Sequence, residues 1–93
     1  MVVGICRLDL YLPDCGSLKN KRSVLKSITT RIRNKFNVSV SELDQNELWQ
    51  KAGLGIAIIT NESRYANQVL SKAIQFVEGD GRVHLLDYTM EML

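Results

Sequence analysis

The chain is poor in the residues that build metal centres and nucleophilic active sites. Its 93 residues include one histidine, His84, and two cysteines, Cys6 and Cys15. The cysteines are nine positions apart, which is not a zinc-ligand spacing, and His84 belongs to no ligand set or nucleophile–base pair. We therefore expect no metal, no cofactor and no catalytic residues, and the sequence identifies no small-molecule substrate.

Long apolar runs are also absent. No stretch approaches 18 consecutive apolar residues, so no membrane-spanning helix is predicted. The N-terminus shows no basic region followed by an apolar run and a small-residue cleavage site, and we expect a cytoplasmic protein without a membrane partner. In that compartment two cysteines do not predict a disulfide. The length predicts one domain, residues 1–93, with a core of its own.

Acidic residues are missing from one segment, Ser17 to Phe36, which holds seven of the twelve basic residues and none of the ten acids. The hydroxyl of Ser17 can accept a hydrogen bond from the first turn of a helix, so Ser17 is the expected N-cap. The segment predicts an amphipathic helix with a basic surface. Its apolar residues share one side of a helical wheel: Leu18, Leu25, Ile28, Ile32 and Phe36.

Cations on this helix are candidate contacts to nucleic acid. Cations repeated at one or two turns along a rod can meet successive backbone phosphates. The sequence leaves open the alternative of a solvated helix face whose charges are neutralised by acids from other elements. The cations that line up as one stripe are Lys19, Arg22, Lys26 and Arg33. The residues predicted to bind nucleic acid are Lys19, Lys21, Arg22, Lys26, Arg31 and Arg33.

Alternating apolar residues predict four strands, and a second helical pattern follows the third of them. The predicted strands are Val2–Leu12, Val38–Leu43, Ala52–Thr60 and Arg82–Met92. The apolar side of the second helix is Ala66, Val69, Leu70, Ala73 and Val77. Asn61 or Ser63 is predicted to cap this helix, and Gly79 to end it.

The segment between the second and third strands is less regular. Asp44–Asn46 is predicted as a turn. Glu47–Lys51 fits either one helical turn or a bulged entry into the third strand, with Trp49 packed over the end of the sheet.

The order β-α-β-β-α-β predicts an α+β, ferredoxin-like sandwich, with four antiparallel strands in one sheet and both helices on one face. The other face of the sheet is then open. Because this face is so apolar, we expect a partner to bury it, most simply a second copy of the chain in a two-fold dimer. The predicted interface residues are Val3, Ile5, Gly53, Gly55, Ala57 and Ile59, and strict alternation adds Val83 and Leu85.

Three weaker patterns favour no specific chemistry. Gly53 and Gly55 form a bare G-x-G within a strand, without the helix N-terminus that binds a pyrophosphate. Arg7 and Asp9 share a strand face and predict a surface ion pair rather than a catalytic pair. Tyr11 is the one aromatic residue predicted on the open face, so base stacking like that of RNA-recognition motifs is not expected there.

Three segments of the sequence resemble the YlxP-like family of small bacterial proteins. The segments are 17–25, 31–42 and 48–55, which read SLKNKRSVL, RIRNKFNVSVSE and LWQKAGLG, and Leu86-Asp87-Tyr88 with Glu91 fits the last strand of the family. The resemblance implies a ferredoxin-like fold and a domain of unknown function. Genes of this family often lie near those of translation and ribosome-maturation factors. This gene neighbourhood implies, by association only, a function related to RNA. No set of catalytic residues comes with the resemblance.

Three functions follow as predictions. The first is non-enzymatic binding of RNA, ribosomal or precursor, through the basic helix, in a role linked to ribosome maturation or translation. The second is protein interaction or homodimerisation through the apolar open face of the sheet. A small hydrolase is a third function, which rests on analogy of fold alone.

Overall fold

A computed structural model describes residues 1–43 and 48–93, and it confirms the predicted order of elements. Both β2 and β4 are shorter than predicted. The strands are β1 (Val2–Tyr11), β2 (Ser39–Glu42), β3 (Lys51–Thr60) and β4 (His84–Met92). The helices are α1 (Leu18–Lys35) and α2 (Ser63–Glu78).

The four strands form one antiparallel sheet in the order β2-β3-β1-β4, which is the ferredoxin-like α+β arrangement. β1 and β3 pair along their full length, from Val2 opposite Thr60 to Tyr11 opposite Lys51. Both helices pack on the same side, and the core lies between them and the sheet. The largest fully buried side chains are Leu8, Leu10, Leu12, Leu25, Ile28, Ile32, Leu54, Leu70 and Val77.

One glycine lets α2 approach β1 closely. A Cβ atom at Gly4 would lie 3.1 Å from Cδ1 of Leu70 and 3.2 Å from Cβ of Ala66. Such contacts are tighter than ordinary packing, so a larger residue at this position would push α2 away from the sheet.

The predicted start and apolar face of α1 are confirmed. The Ser17 hydroxyl accepts a hydrogen bond from the backbone N–H of Asn20 at 3.0 Å. Leu25, Ile28 and Ile32 are buried in the middle of the helix. The two ends of the apolar face, at positions 18 and 36, are half-buried.

The predicted cap of α2 was wrong by one residue. Glu62 is the N-cap, and its side chain makes no capping hydrogen bond. Asn61 and Ser63 lie on either side of it. The helix starts where its apolar stripe fits the sheet, and this packing outweighs the free energy of about 1 kcal/mol that a polar cap contributes. At the other end Gly79 is the C-cap, as predicted.

A β-bulge corrects the prediction for the last strand. Asp9 pairs with Asp87 whereas Leu10 pairs with Leu85, so Leu86 is an extra residue in β4. An extra residue reverses the alternation of side chains along a strand. Val83 is therefore buried and Leu85 packs against the core, and the prediction that these two residues lie on the open face was wrong.

The connection between β2 and β3 is described from Leu48 onward. Trp49 and Gln50 form a turn directly before β3. The predicted turn at Asp44–Asn46 lies outside the described residues, as does Glu47. Neither α1 nor α2, the helices of the described ranges, has the length and apolarity needed to cross a membrane.

Candidate nucleic-acid interface

The seven cations of α1 lie on different sides of the helix. On the side that faces α2, Nζ of Lys35 lies 5.0 Å from the ring centroid of Phe76, in a cation–π contact. Arg31 is on the same side and acts electrostatically on Asp80, just after α2. About 140° on the helical wheel separates Arg31 from Lys26. The structure therefore does not bring Arg31 together with the predicted stripe.

Asp80 and Arg82 tie the turn between α2 and β4 to α1. Nη2 and Nε of Arg82 donate to the two carboxylate oxygens of Asp80 at 2.7 and 3.0 Å. The same guanidinium donates to the hydroxyl of Ser27 at 3.2 Å. The side-chain hydrogen bond from Arg82, helped by the positive charges of Arg82 and Arg31, lowers the pKa of Asp80, although burial opposes the shift. Arg82 is thus committed to contacts within the chain.

Two more cations of α1 donate to backbone carbonyl groups on the β2–β3 side of the molecule. Lys21 is only 6 % exposed, and its Nζ donates to the carbonyl oxygen of Leu48 at 2.8 Å. Nη2 of Arg33 donates to the carbonyl oxygen of Val40 in β2, also at 2.8 Å. A buried ammonium group cannot reach a phosphate in solution, so Lys21 holds the fold together. Arg33 is exposed in spite of its contact.

The remaining cations of α1 form an exposed row. Lys19, Arg22 and Lys26 have no ion pair or side-chain hydrogen bond within residues 1–43 and 48–93. Together with Arg33 they lie within about 60° on the helical wheel. These four residues are called the basic stripe below. The stripe is about 21 Å long, because Lys19 and Arg33 are 14 positions apart.

The six predicted interface residues all lie on the sheet face away from the helices, and they differ in exposure. Ile59 is 70 % exposed, whereas Gly53 is buried. A shallow groove of about 580 Å³ crosses this face over Gly55 and Ala57, bordered by Ile5. The structure thus brings the predicted residues to one surface.

Leu43 was missed in the sequence. It follows β2, and a Cβ atom on Gly55 would lie 2.9 Å from its Cδ2 atom. Leu43 therefore covers part of Gly55, and because it is 42 % exposed it also adds apolar surface to the open face. The signal was available, because Leu43 continues the alternation of Ser39 and Ser41 on the open face.

The other polar, aromatic and thiol groups on or near this face have contacts or surroundings that suggest no catalytic role. Nε of Arg7 donates to Asp9 at 3.3 Å, which confirms the predicted surface ion pair. The rings of Tyr11 and His84 lie beside each other, with their centroids 6.3 Å apart. Burial raises the pKa of the Cys6 thiol to about 11. This thiol is therefore protonated near neutral pH, and it is not suited to act as a nucleophile.

Comparison with known proteins supplies the family. The model of a family described as "Protein of unknown function (DUF503)" matches residues 3–90. The chain belongs to the DUF503 family. A curated relative, the uncharacterized protein YlxP of Bacillus subtilis (strain 168), is 38% identical over 77 residues, which cover 83% of this chain and 84% of that protein. Membership in DUF503 confirms the resemblance seen in the sequence, and it brings no assigned activity.

A solved structure similar to this DUF503 chain is the de novo designed protein Foldit4. It aligns with a TM-score of 0.56 over 100% of this chain and 97% of the designed one, at 9% sequence identity. At so low an identity the likeness shows the fold alone.

Proposed function

We propose that this DUF503 protein is a non-enzymatic, cytoplasmic RNA-binding protein that contacts structured RNA, ribosomal or precursor, through the basic stripe, in a role linked to ribosome maturation or translation. The observation that carries the proposal is the exposure of Lys19, Arg22 and Lys26 without an ion-pair partner among the described residues. Cations in this state displace the counterions condensed on a nucleic-acid backbone, and the release of those counterions favours binding.

The position of these cations on the helix supports a role in binding. Lys19 lies in the first turn of α1, which contains no acidic residue, and Arg22 follows shortly after it. The N-terminus of a helix carries a partial positive charge, so cations there reduce the stability of the helix by a few tenths of a kcal/mol. A polyanionic ligand at this end would meet the side-chain charges and the helix dipole together.

Affinity as a function of salt concentration tests the proposal. Fluorescence anisotropy of labelled ribosomal RNA fragments gives the slope of log K against log salt for the wild type and for Arg22→Ala/Lys26→Ala. Each lost phosphate contact reduces the magnitude of the slope by about 0.7 to 0.9, so the double variant loses about 1.4 to 1.8. The matched control is Arg64→Ala/Lys72→Ala, which removes two exposed cations from α2 and changes the net charge equally.

Two results would count against the proposal. One is the absence of binding to any fragment at low salt. The other is an equal loss of affinity in both double variants, which would show that net charge alone is responsible. Crosslinking of the tagged protein in cells, followed by RNA sequencing, asks which RNA is bound, and a lack of enrichment of ribosomal or precursor RNA would remove that part of the proposal.

A second candidate function is homodimerisation through the open face of the sheet. It is favoured by the groove over Gly55 and Ala57 and by the 70 % exposure of Ile59. Burial of exposed apolar surface against a partner removes it from water, which favours association. The small residues of β3 leave room for side chains that project from a second copy.

Light scattering at several concentrations tests this second function. Ile59→Lys is expected to shift a dimer to a monomer because it buries an unpaired charge in the interface. Leu86→Lys is the matched control, since Leu86 is 56% exposed but belongs to the bulge in the edge strand. A wild-type protein that stays monomeric at high concentration would eliminate this function.

A further inference from the structure

Trp49 is held in a half-exposed position by anchors on both sides of it. The carbonyl of the preceding residue, Leu48, accepts the hydrogen bond from Lys21 at 2.8 Å. The carbonyl of the following residue, Gln50, accepts a hydrogen bond from the backbone N–H of Leu12 at 2.7 Å. The Trp49 side chain is nevertheless 48 % exposed. A large aromatic surface is therefore presented to solvent by a backbone that is fixed to two other elements.

The turn that holds Trp49 lies at one end of the basic stripe. Arg33, at the far end, contacts Val40 in β2, so the stripe follows the β2 side of the molecule. At the near end, Lys21 binds the carbonyl next to Trp49, and Arg22 of the stripe is the next residue after Lys21. The turn that carries the exposed indole therefore lies near the Arg22 end of the row of cations.

We infer that Trp49 is a base-stacking platform at the end of the basic stripe, so that the preferred ligand contains unpaired nucleotides rather than an uninterrupted duplex. This inference rests on the proposed binding of RNA and names the form of RNA that is bound. Cations that follow a backbone, combined with an exposed aromatic ring on which a base stacks, are the two components of single-stranded nucleic-acid sites.

The same arrangement predicts little discrimination between bases. Every base has a flat face that can stack on an indole, and the stripe offers charges to phosphates rather than groups to base edges. In a paired helix, the bases stack on one another and their faces are not available to Trp49. Loops, bulges and strand ends expose such faces.

Tryptophan fluorescence tests the inference directly, because Trp49 is the one tryptophan of the chain. The protein is titrated at low salt with a mixed-sequence 12-nucleotide RNA that cannot pair with itself, and separately with a 12-base-pair RNA duplex. Stacking on the indole is expected to quench its emission at saturation with the single strand and to leave the emission nearly unchanged with the duplex.

Variants measure how much the stacking contributes. Trp49→Ala is expected to weaken binding of the single strand about 5- to 150-fold, the usual range for the loss of one stacked base. Affinity for the duplex should change less than twofold, and Trp49→Phe should retain most of the affinity for the single strand. Tyr65→Ala is the matched control, since Tyr65 is 52 % exposed but lies on α2, and it should bind as the wild type does. Thermal unfolding of each variant establishes that it is folded.

The outcomes separate this inference from the proposed function. Salt-dependent binding that Trp49→Ala leaves unchanged, without quenching in the wild type, would overturn the stacking role and leave RNA binding by the stripe in place. Equal affinity of Trp49→Ala and Tyr65→Ala variants for the single strand would also overturn it. Failure of the wild type to bind either RNA at low salt would overturn both proposals together.

Discussion

The two sides of α1 carry the same residue types in different surroundings. On the side facing α2, Lys35 lies over the ring of Phe76, and Arg31 is near enough to Asp80 for its positive charge to help lower the pKa of that carboxyl. On the side that follows β2, Lys19, Arg22 and Lys26 have no charged partner among the described residues. The comparison teaches that the number of cations in a helix does not define a binding surface. A binding surface is defined by the cations that the rest of the fold leaves without partners.

The largest expected effect comes from reversing the charge of the unpaired side. The variant Lys19→Glu/Arg22→Glu/Lys26→Glu should weaken RNA binding about a hundredfold or more at low salt, because three attractive contacts become repulsive. Filter binding or anisotropy measures this loss. Reversal of the two cations on the other side, Arg31→Glu/Lys35→Glu, should have a much smaller effect, and equal losses in the two variants would erase the distinction between the sides.

The second effect concerns Lys21, which lies between the two sides and is buried. Lys21→Met keeps most of the side-chain volume but leaves the carbonyl of Leu48 without this donor. The free energy of unfolding should fall by about 1–3 kcal/mol, the usual penalty when a buried hydrogen-bonding group loses its partner. Urea denaturation measures the change. Lys19→Met, an exposed neighbour on the same helix, serves as the control and should unfold like the wild type.

The third effect depends on pH. The hydrogen bond from Arg82 holds the pKa of Asp80 below its ordinary value of 3.8, so the folded state favours the ionised carboxylate. This stabilisation is present above pH 3.8 and is lost as the pH falls through the lower pKa of the folded state. Asp80→Asn should therefore reduce stability near neutral pH by about 0.5–1 kcal/mol, a modest value because Arg82 is 41% exposed.

Thermal unfolding as a function of pH measures the contribution of Asp80. The difference between wild type and Asp80→Asn should shrink in strong acid, where both side chains are uncharged. A difference that stays constant from neutral pH to pH 2 would show that ionisation of Asp80 does not contribute to the stability of the fold.

The smallest expected effect is a difference in stability between removing a cation that has a partner and removing one that has none among the described residues. Lys35→Gln removes the cation above Phe76 and should cost about 0.5–1 kcal/mol of stability. Lys26→Gln removes an exposed cation without a partner in the described ranges and should change stability by less than about 0.5 kcal/mol. Differential scanning calorimetry on the two variants gives the comparison, and a larger loss for Lys26→Gln would reverse the assignment of the two sides.

Patterns that repeat along the chain were sufficient to predict the order of elements and most of the faces. The spacing of Leu25, Ile28 and Ile32 predicted the buried side of α1, and Ser17 predicted where α1 begins. Alternation placed the six interface residues on the open side of the sheet. These predictions succeed because periods of 3.6 and 2 residues are local properties of the backbone, which any helix or half-buried strand must obey.

The sequence by itself determined the fold, the basic character of α1 and the apolar character of the open face. Only the tertiary structure decided that Lys21 is buried, that Asp80 lies near Arg31 and that Trp49 is presented to solvent in a turn held by Lys21. It also decided that, because of a bulge at Leu86, Val83 is buried in the core and Leu85 packs against it. The physical reason is that these features depend on which groups meet across the chain, as when Lys21 reaches a carbonyl 27 positions away, and no local period records such an encounter.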